Sequence, residues 1–302
     1  MSARRRLPLV LALLLGLSAG SAYAQGIGGV LNKVNKVAKT GKEAAKVVKT
    51  VRNTFGDISD EEEHYIGRSV AALILSRYAP LNNPALSQYV NILGQAVALS
   101  SDRPETYAGY HFQILNSDEV NALAAPGGMI FLTKGLIKLC PDEEALASIL
   151  AHEIGHVAAR HGLQSIKKSR LVDAFKLMEQ GTLQKYTPGE LDQLTGIFEN
   201  ALGDIAESLV EKGYDRKYEY EADELALKTS LRAGYDPTGL NRFLQTMAGG
   251  AAASSGLGWF KTHPTPEQRI GKAEKVEAGM GPLPTILAAR TARFQAATAG
   301  LK

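Results

Sequence analysis

His152, Glu153 and His156 form H-E-x-x-H inside the segment AHEIGHVAARHG. On an α-helix, residues four apart lie one above the other on the same face. Two imidazoles placed that way can hold one zinc ion, and Glu153, one position round the helix, can reach a water beside it. The chemistry this combination serves is hydrolysis, in which a metal polarises a carbonyl and a carboxylate takes the proton of an attacking water. A catalytic zinc ordinarily takes three protein ligands and keeps a fourth position open, so one ligand is missing from the pentapeptide.

The same helix supplies no third histidine. The longer metzincin pattern needs one at position 162, where the chain has Gly162. His161 follows His152 by nine residues, about 180° away around a continuous helix, and reads as a solvated or capping residue. The remaining option is a carboxylate from a second helix. In RKYEYEADELALK (216–228), Glu219, Ala222, Asp223 and Ala226 share one face, while Glu221, Glu224 and Lys228 share another. This spacing makes Glu219 the third ligand and Asp223 an acceptor that orients one of the histidines, with Glu221 left in solvent.

These residues need well-marked elements to hold them. Pro141-Asp142 followed by Glu143 and Glu144 reads as a helix start, with Asp142 as N-cap and acids in the first turn. Leu146, Ile149, Leu150 and Val157 then recur at helical spacing, and Gly162 is a natural stop. Residues 61–78 and 84–99 read as helices, the second with Pro84 near its start. Residues 111–116 and 128–133 alternate as strands, which predicts a small sheet, and an edge strand at 128–133 would accept an extended peptide through main-chain hydrogen bonds. The polar helical stretch 171–212, broken by Gly181 and Pro188, is either a lid over a cleft or a plain helical hairpin. The Ala-, Ser- and Gly-rich stretch 249–258 reads as a loop just ahead of Trp259 and His263. The expected class is α+β, mainly α-helical.

HEIGHVAARHG followed later by RKYEYEAD resembles the HtpX/CAAX prenyl protease family of zinc metallopeptidases, of gluzincin type, and within it the soluble periplasmic, BepA-like members. Three further stretches agree. NALAAPGGMIFLTKGLI (121–137) is similar to the family's edge strand beside the active-site cleft. GYDP (234–237) is similar to the turn after its ligand helix, and THPTPEQRI (262–270) to its His-Pro segment ending in arginine. Together they span roughly residues 60–275. The resemblance implies a zincin-like metalloprotease domain whose small sheet has an edge strand bordering the cleft. It implies one Zn²⁺ per chain, held by His152, His156 and Glu219, with Glu153 as general base. It brings His263 toward the metal, either to stabilise an oxyanion or to fill the fourth position in a latent state. Arg269 then pairs with a carboxylate near the site or lies at the surface. Asn121, Gly127, Gly128 and Met129 fall where the resemblance puts substrate binding. One departure is Asp215, where relatives often carry a small hydroxyl residue; it lies outside the ligand set.

Arg4, Arg5 and Arg6 precede an apolar run over 7–17 and small residues ending Ala22-Tyr23-Ala24, the pattern of a cleavable signal peptide over 1–24 and of a periplasmic protein. Its removal takes the formal net charge from +3 to zero. No later stretch is apolar for long enough to cross a bilayer. Residues 25–56 carry six lysines and Arg52 against Glu43, a net +6 flanking a weak valine stripe. That segment is a basic amphipathic surface for peripheral membrane contact, or a linker. Without interleaved aromatics it gives nucleic-acid binding no support. Cys140 is the only cysteine, so an intrachain disulfide is excluded. The layout read here is a signal peptide (1–24), a basic segment (25–56), a metalloprotease domain (57–280) and a helical tail (281–302). The expected function is a zinc endopeptidase that hydrolyses unfolded or misassembled envelope proteins in quality control. The other reading is a periplasmic chaperone or assembly factor with a structural zinc, and Glu153 opposes it because a structural site needs no base.

Overall fold

The computed structural model describes residues 58–165, 196, 199–200, 202–249 and 263–301. The expected signal peptide, the basic segment, most of the 171–212 insertion and nearly all of the loop before His263 lie outside these residues. By contacts the chain forms two units, and the larger, Ile66–Ser165 with Ile205–Lys302, holds every candidate site residue. The smaller unit contributes Asp60–Tyr65, which open the first helix.

Helix α1 (Asp60–Arg77) is followed by α2 (Pro84–Ala98), which Pro84 opens and whose cap Asn83 accepts the Leu86 N–H at 3.1 Å. Leu86, Val90, Leu93 and Val97 recur at helical spacing and are all buried. Three strands follow: β1 (His111–Leu115), β2 (Ala122–Ala125) and β3 (Met129–Thr133). The order β1-β3-β2 puts β3 in the middle, parallel to β1 and antiparallel to β2. The strand expected at 128–133 is thus central, with ladder partners on both sides, and cannot take an added strand. The edges are β1 and β2, and reading by alternation missed β2 because all four of its residues are buried. Between β2 and β3 the chain turns through Pro126–Gly128, where Gly127 (φ 75°) and Gly128 (φ 97°) adopt backbone angles that a side chain disfavours.

Helix α3 (Lys134–Leu139) leads to α4 (Glu143–Ala158), whose N-cap Asp142 accepts the Ala145 N–H at 2.8 Å. Residues 143–157 of α4 are all buried, so this helix is the axis of the core. Arg160 then takes a left-handed turn (φ 55°) into the short α5 (His161–Gln164). A π-helical turn (Ser208–Lys212) precedes α6 (Arg216–Arg232), α7 (Gly239–Gly249), α8 (Pro266–Glu277) and α9 (Ala288–Thr298). Helix α6 runs along α4, with Ala222 and Ala226 fully buried between them. A Cβ on Gly155 would stand 3.2 Å from Leu225 Cβ and 3.3 Å from the Ala222 oxygen, so glycine sets how closely the two helices approach. The tail is part of the fold: Phe294 and Leu301 join the core, and Arg290 and Arg293 of α9 bind the buried carboxylates of Glu144 and Glu143. Among the described residues no helix is long and apolar enough to cross a membrane.

Helix α1 is packed tightly against the β2–β3 turn, since a Cβ on Gly67 would lie 1.8 Å from the Pro126 carbonyl oxygen. Helix propensity favours Gly67→Ala by about 1 kcal/mol. A clash with backbone opposes it more strongly, typically by about 1–3 kcal/mol, because no flexible side chain can give way. Gly67→Ala is therefore expected to lower the melting temperature by about 5 °C in a thermal circular dichroism scan. A variant melting above the parent would contradict this packing.

Candidate metal centre

The spacing in α4 stacks His152 and His156 on one face, with their Nε2 atoms 3.1 Å apart. Helix α6 brings Glu219 to the same point, its Oε2 3.6 Å from His152 Nε2 and its Oε1 3.6 Å from His156 Nε2. Four tetrahedral ligand atoms each about 2.1 Å from a zinc stand about 3.4 Å from one another. The imidazole nitrogens at 3.1 Å, and the two carboxylate oxygens that each face one of them at 3.6 Å, lie near that figure. His263, just before α8, adds a fourth side chain, with Nδ1 hydrogen-bonded to Glu219 Oε2. One ligand atom from each of these four residues lies within 4.8 Å of all the others. All four are buried, and Glu153 is 1 % exposed beside them.

The charges of the pocket also favour a cation. Glu219 Oε1 and Glu153 Oε1 are buried and have no hydrogen-bond partner, which is costly unless a positive group faces them. Burial and the nearby Arg269 charge press the His152 pKa down. Hydrogen bonds to Asp223 and Glu219 override both and raise it to about 9, so the carboxylates favour positive charge at this point. Burial pushes the Glu153 carboxyl up to about 7, helped by the negative charge of Glu219 and opposed by His152 and Arg269. Two imidazoles, one carboxylate and an orphaned oxygen fit zinc, whose usual ligands are these groups.

Asp223, one turn beyond Glu219 on α6, accepts from His152 Nδ1 at 2.9 Å. Its other contacts come from Arg269, whose Nη2 donates to Oδ1 at 2.6 Å and whose Nε donates to Oδ2 at 3.0 Å. Of the two positions the sequence allowed for Arg269, the structure has the inner one: it is fully buried. Burial alone would raise the Asp223 carboxyl, but the Arg269 guanidinium and the His152 bond hold it at about 2. The expected solvated position of His161 is incorrect. The left-handed turn at Arg160 ends α4, so the 180° offset of a continuous helix does not apply, and the His161 ring is folded back and fully buried. Its Nδ1 lies 2.9 Å from His156 Nδ1 and its Nε2 lies 3.2 Å from Glu221 Oε2. Glu221 is 56 % exposed, so it reaches solvent while its carboxylate meets that ring.

A cavity of about 10 Å³ adjoins the centre. Ala122–Ala124 of β2 form one wall, the 208–214 segment forms the other, and Glu153, His156 and His263 line it between them. Of the residues expected to bind substrate, Asn121, Gly127, Gly128 and Met129, none lines this cavity. Asn121 is buried at the start of β2, where its N–H donates to Thr133 Oγ1, and the other three belong to the turn and to the central strand. Tyr214 was not singled out from sequence. Its ring stacks on His156 at 4.6 Å between centroids, and no periodicity marks it, because it lies in the irregular stretch before α6.

Residues 84–277 match the sequence profile of peptidase family M48. The chain is 31 % identical over 211 residues to the beta-barrel assembly-enhancing protease of Escherichia coli K12, an alignment covering 68 % of this chain and 42 % of that one. It is 26 % identical over 229 residues to the mitochondrial metalloendopeptidase OMA1 of Schizosaccharomyces pombe, covering 74 % and 64 %. It is 30 % identical over 162 residues to metalloprotease YcaL of Escherichia coli K12, covering 53 % and 59 %. The chain thus spans less than half the length of the assembly-enhancing proteases it matches.

Proposed function

This chain belongs to peptidase family M48, and from that premise we propose that it is a zinc-dependent endopeptidase acting on unfolded or misassembled envelope proteins in the periplasm. The observation that carries the reading is the convergence of His152 Nε2, His156 Nε2 and the Glu219 carboxylate, with Glu153 buried alongside. His152, His156 and Glu219 would hold one zinc, which when bound polarises a scissile carbonyl and lowers the pKa of water toward about 7.

The remaining chemistry belongs to the chain's own residues. Glu153, buried beside the three ligands, accepts the proton of the attacking water and delivers it to the leaving amine. Asp223, itself fixed by Arg269, fixes the ring of His152 through Nδ1. His263 is close enough to stabilise the oxyanion, or to fill the fourth ligand position in a resting state. An extended substrate is placed along β2, which among the described residues has a ladder partner on one side only, rather than along the expected 128–133 strand. The 208–214 segment faces β2 across the cavity and so borders the space such a peptide would occupy. The envelope substrate class follows the assembly-enhancing name of the relatives.

The test is digestion of an unfolded protein such as casein by the purified chain. Cleavage is expected to stop on addition of a zinc chelator and to return when about one equivalent of zinc per chain is restored. A chain that suppresses aggregation of the same substrate, with or without chelator, and cleaves nothing would be an assembly factor and not a peptidase.

A further inference from the structure

We propose that His161 and Glu221 are positioning residues for His156, forming a hydrogen-bonded chain that runs from the metal centre to the protein surface. The inference rests on the zinc reading above and concerns which side chains hold the second histidine in place. Nothing in H-E-x-x-H itself provides for this. His152 has Asp223 behind it, whereas His156 has no carboxylate against its Nδ1 among the described residues. What it has is a second imidazole.

The direction of the chain follows from the geometry. His156 presents Nε2 to His152 Nε2 and Glu219, so Nε2 is the metal-facing nitrogen and must keep its lone pair free. The proton of a neutral ring then sits on Nδ1, which is 2.9 Å from His161 Nδ1. His161 must therefore accept at Nδ1, and its own proton moves to Nε2. That nitrogen faces Glu221 Oε2 at 3.2 Å, a carboxylate able only to accept. The donors run one way without conflict: His156 to His161, and His161 to Glu221. Reversing them would put the His156 proton on the metal-facing nitrogen and turn a bare His161 lone pair toward the carboxylate. One arrangement of protons satisfies all three groups, and it is the one that leaves His156 free to bind a cation.

The His161 ring is held as firmly as this role requires. It is fully buried, tilted against Tyr218 at 4.5 Å between centroids, while Tyr214 covers the adjacent face of His156. A Cβ on Gly162 would approach Pro126 Cγ to 2.9 Å and Tyr214 Oη to 3.4 Å, so the residue after His161 has to be small for the chain to fold back this closely. Partners behind metal-binding histidines fix tautomer and ring orientation, and their loss typically weakens metal binding about 10–100-fold.

The experiment measures the zinc dissociation constant of the full chain by competition with a chromophoric chelator, with circular dichroism as the check of folding. His161→Phe keeps an aromatic ring between the tyrosines and removes the acceptor; it is expected to weaken zinc binding about 10–100-fold. His161→Asn puts an amide oxygen near the place of Nδ1 and is expected to recover most of that loss. Glu221→Ala, at a half-exposed position that leaves the fold intact, is expected to weaken binding by a smaller factor. Combined with His161→Phe it should add nothing, because both act through one chain. Wild-type affinity in a folded His161→Phe, equal losses for Phe and Asn, or unchanged affinity in Glu221→Ala would each overturn the proposal. Should His161→Phe fail to fold, Glu221→Ala and His161→Asn decide alone. A parent chain that takes up no zinc would overturn the metal reading as well, which a parent that binds zinc indifferently to these substitutions would not.

Discussion

Glu153→Gln is expected to retain one zinc per chain and to lose peptide hydrolysis by about 10²–10⁴-fold, the usual contribution of a positioned acid–base group. Glutamine matches the shape of glutamate but cannot take a proton from water. The loss should appear in kcat, with KM little changed, because the side chain acts during bond breaking and not in holding the peptide. A second expected effect runs the opposite way. In the unfolded chain a glutamic acid ionises near about 4.3, whereas burial keeps Glu153 protonated up to about 7. Folding of the metal-free chain is therefore penalised progressively as pH rises between these values, and the penalty is complete above the higher one. Glutamine carries no such penalty, so the metal-free variant is expected to be more stable than its parent at pH 8, by up to about 4 kcal/mol, and equal to it near pH 4. Denaturant unfolding at the two pH values checks this. Undiminished proteolysis by the variant would remove Glu153 from the mechanism.

Arg269→Met should give the largest loss of stability among single substitutions around the site. The arginine is fully buried and grips both oxygens of Asp223. Removing one partner of such a pair leaves a buried charge uncompensated, which typically costs about 3–5 kcal/mol. For a domain of this size that corresponds to a fall of about 10 °C in melting temperature. Much of the cost should belong to the stranded carboxylate and not to the lost arginine. Asp223→Asn added to Arg269→Met is therefore expected to recover part of the stability, since the amide carries no charge to strand. Additive losses in the double variant would show that the two residues stabilise the fold separately. Zinc affinity should fall in the same series, because His152 Nδ1 is held by the carboxylate that Arg269 fixes.

The parts of this site that could be read from sequence are those determined within one helix. His152, Glu153 and His156 lie four residues apart or less, so their relation follows from helical geometry alone. Glu219 and Asp223 could be separated from Glu221 and Glu224 because a buried face of small residues, Ala222 and Ala226, accompanies them. What depended on chain reversal was not legible. His161 points inward because Arg160, not a glycine, adopts a left-handed angle, and nothing in the local composition announces that. The edge strand was misplaced for a related reason. Ala-Leu-Ala-Ala is a poor strand former and is buried on both faces, so it shows no alternation, while the better patterned 129–133 segment occupies the middle of the sheet. The partner of Arg269 lies 46 residues away in sequence, a distance over which spacing carries no information.

The matched family segment stops at residue 277, yet Arg290 and Arg293 of α9 reach back to Glu144 and Glu143 at the opening of α4. Those acids are fully buried; the Tyr89 and Tyr235 hydroxyls donate to Glu143, and the Asp236 N–H donates to Glu144. The cations that neutralise the first turn of the histidine-bearing helix therefore come from some 150 residues downstream. A fragment trimmed to the family boundary would therefore carry His152, Glu153 and His156 on a helix whose first-turn acids have lost both of these arginines.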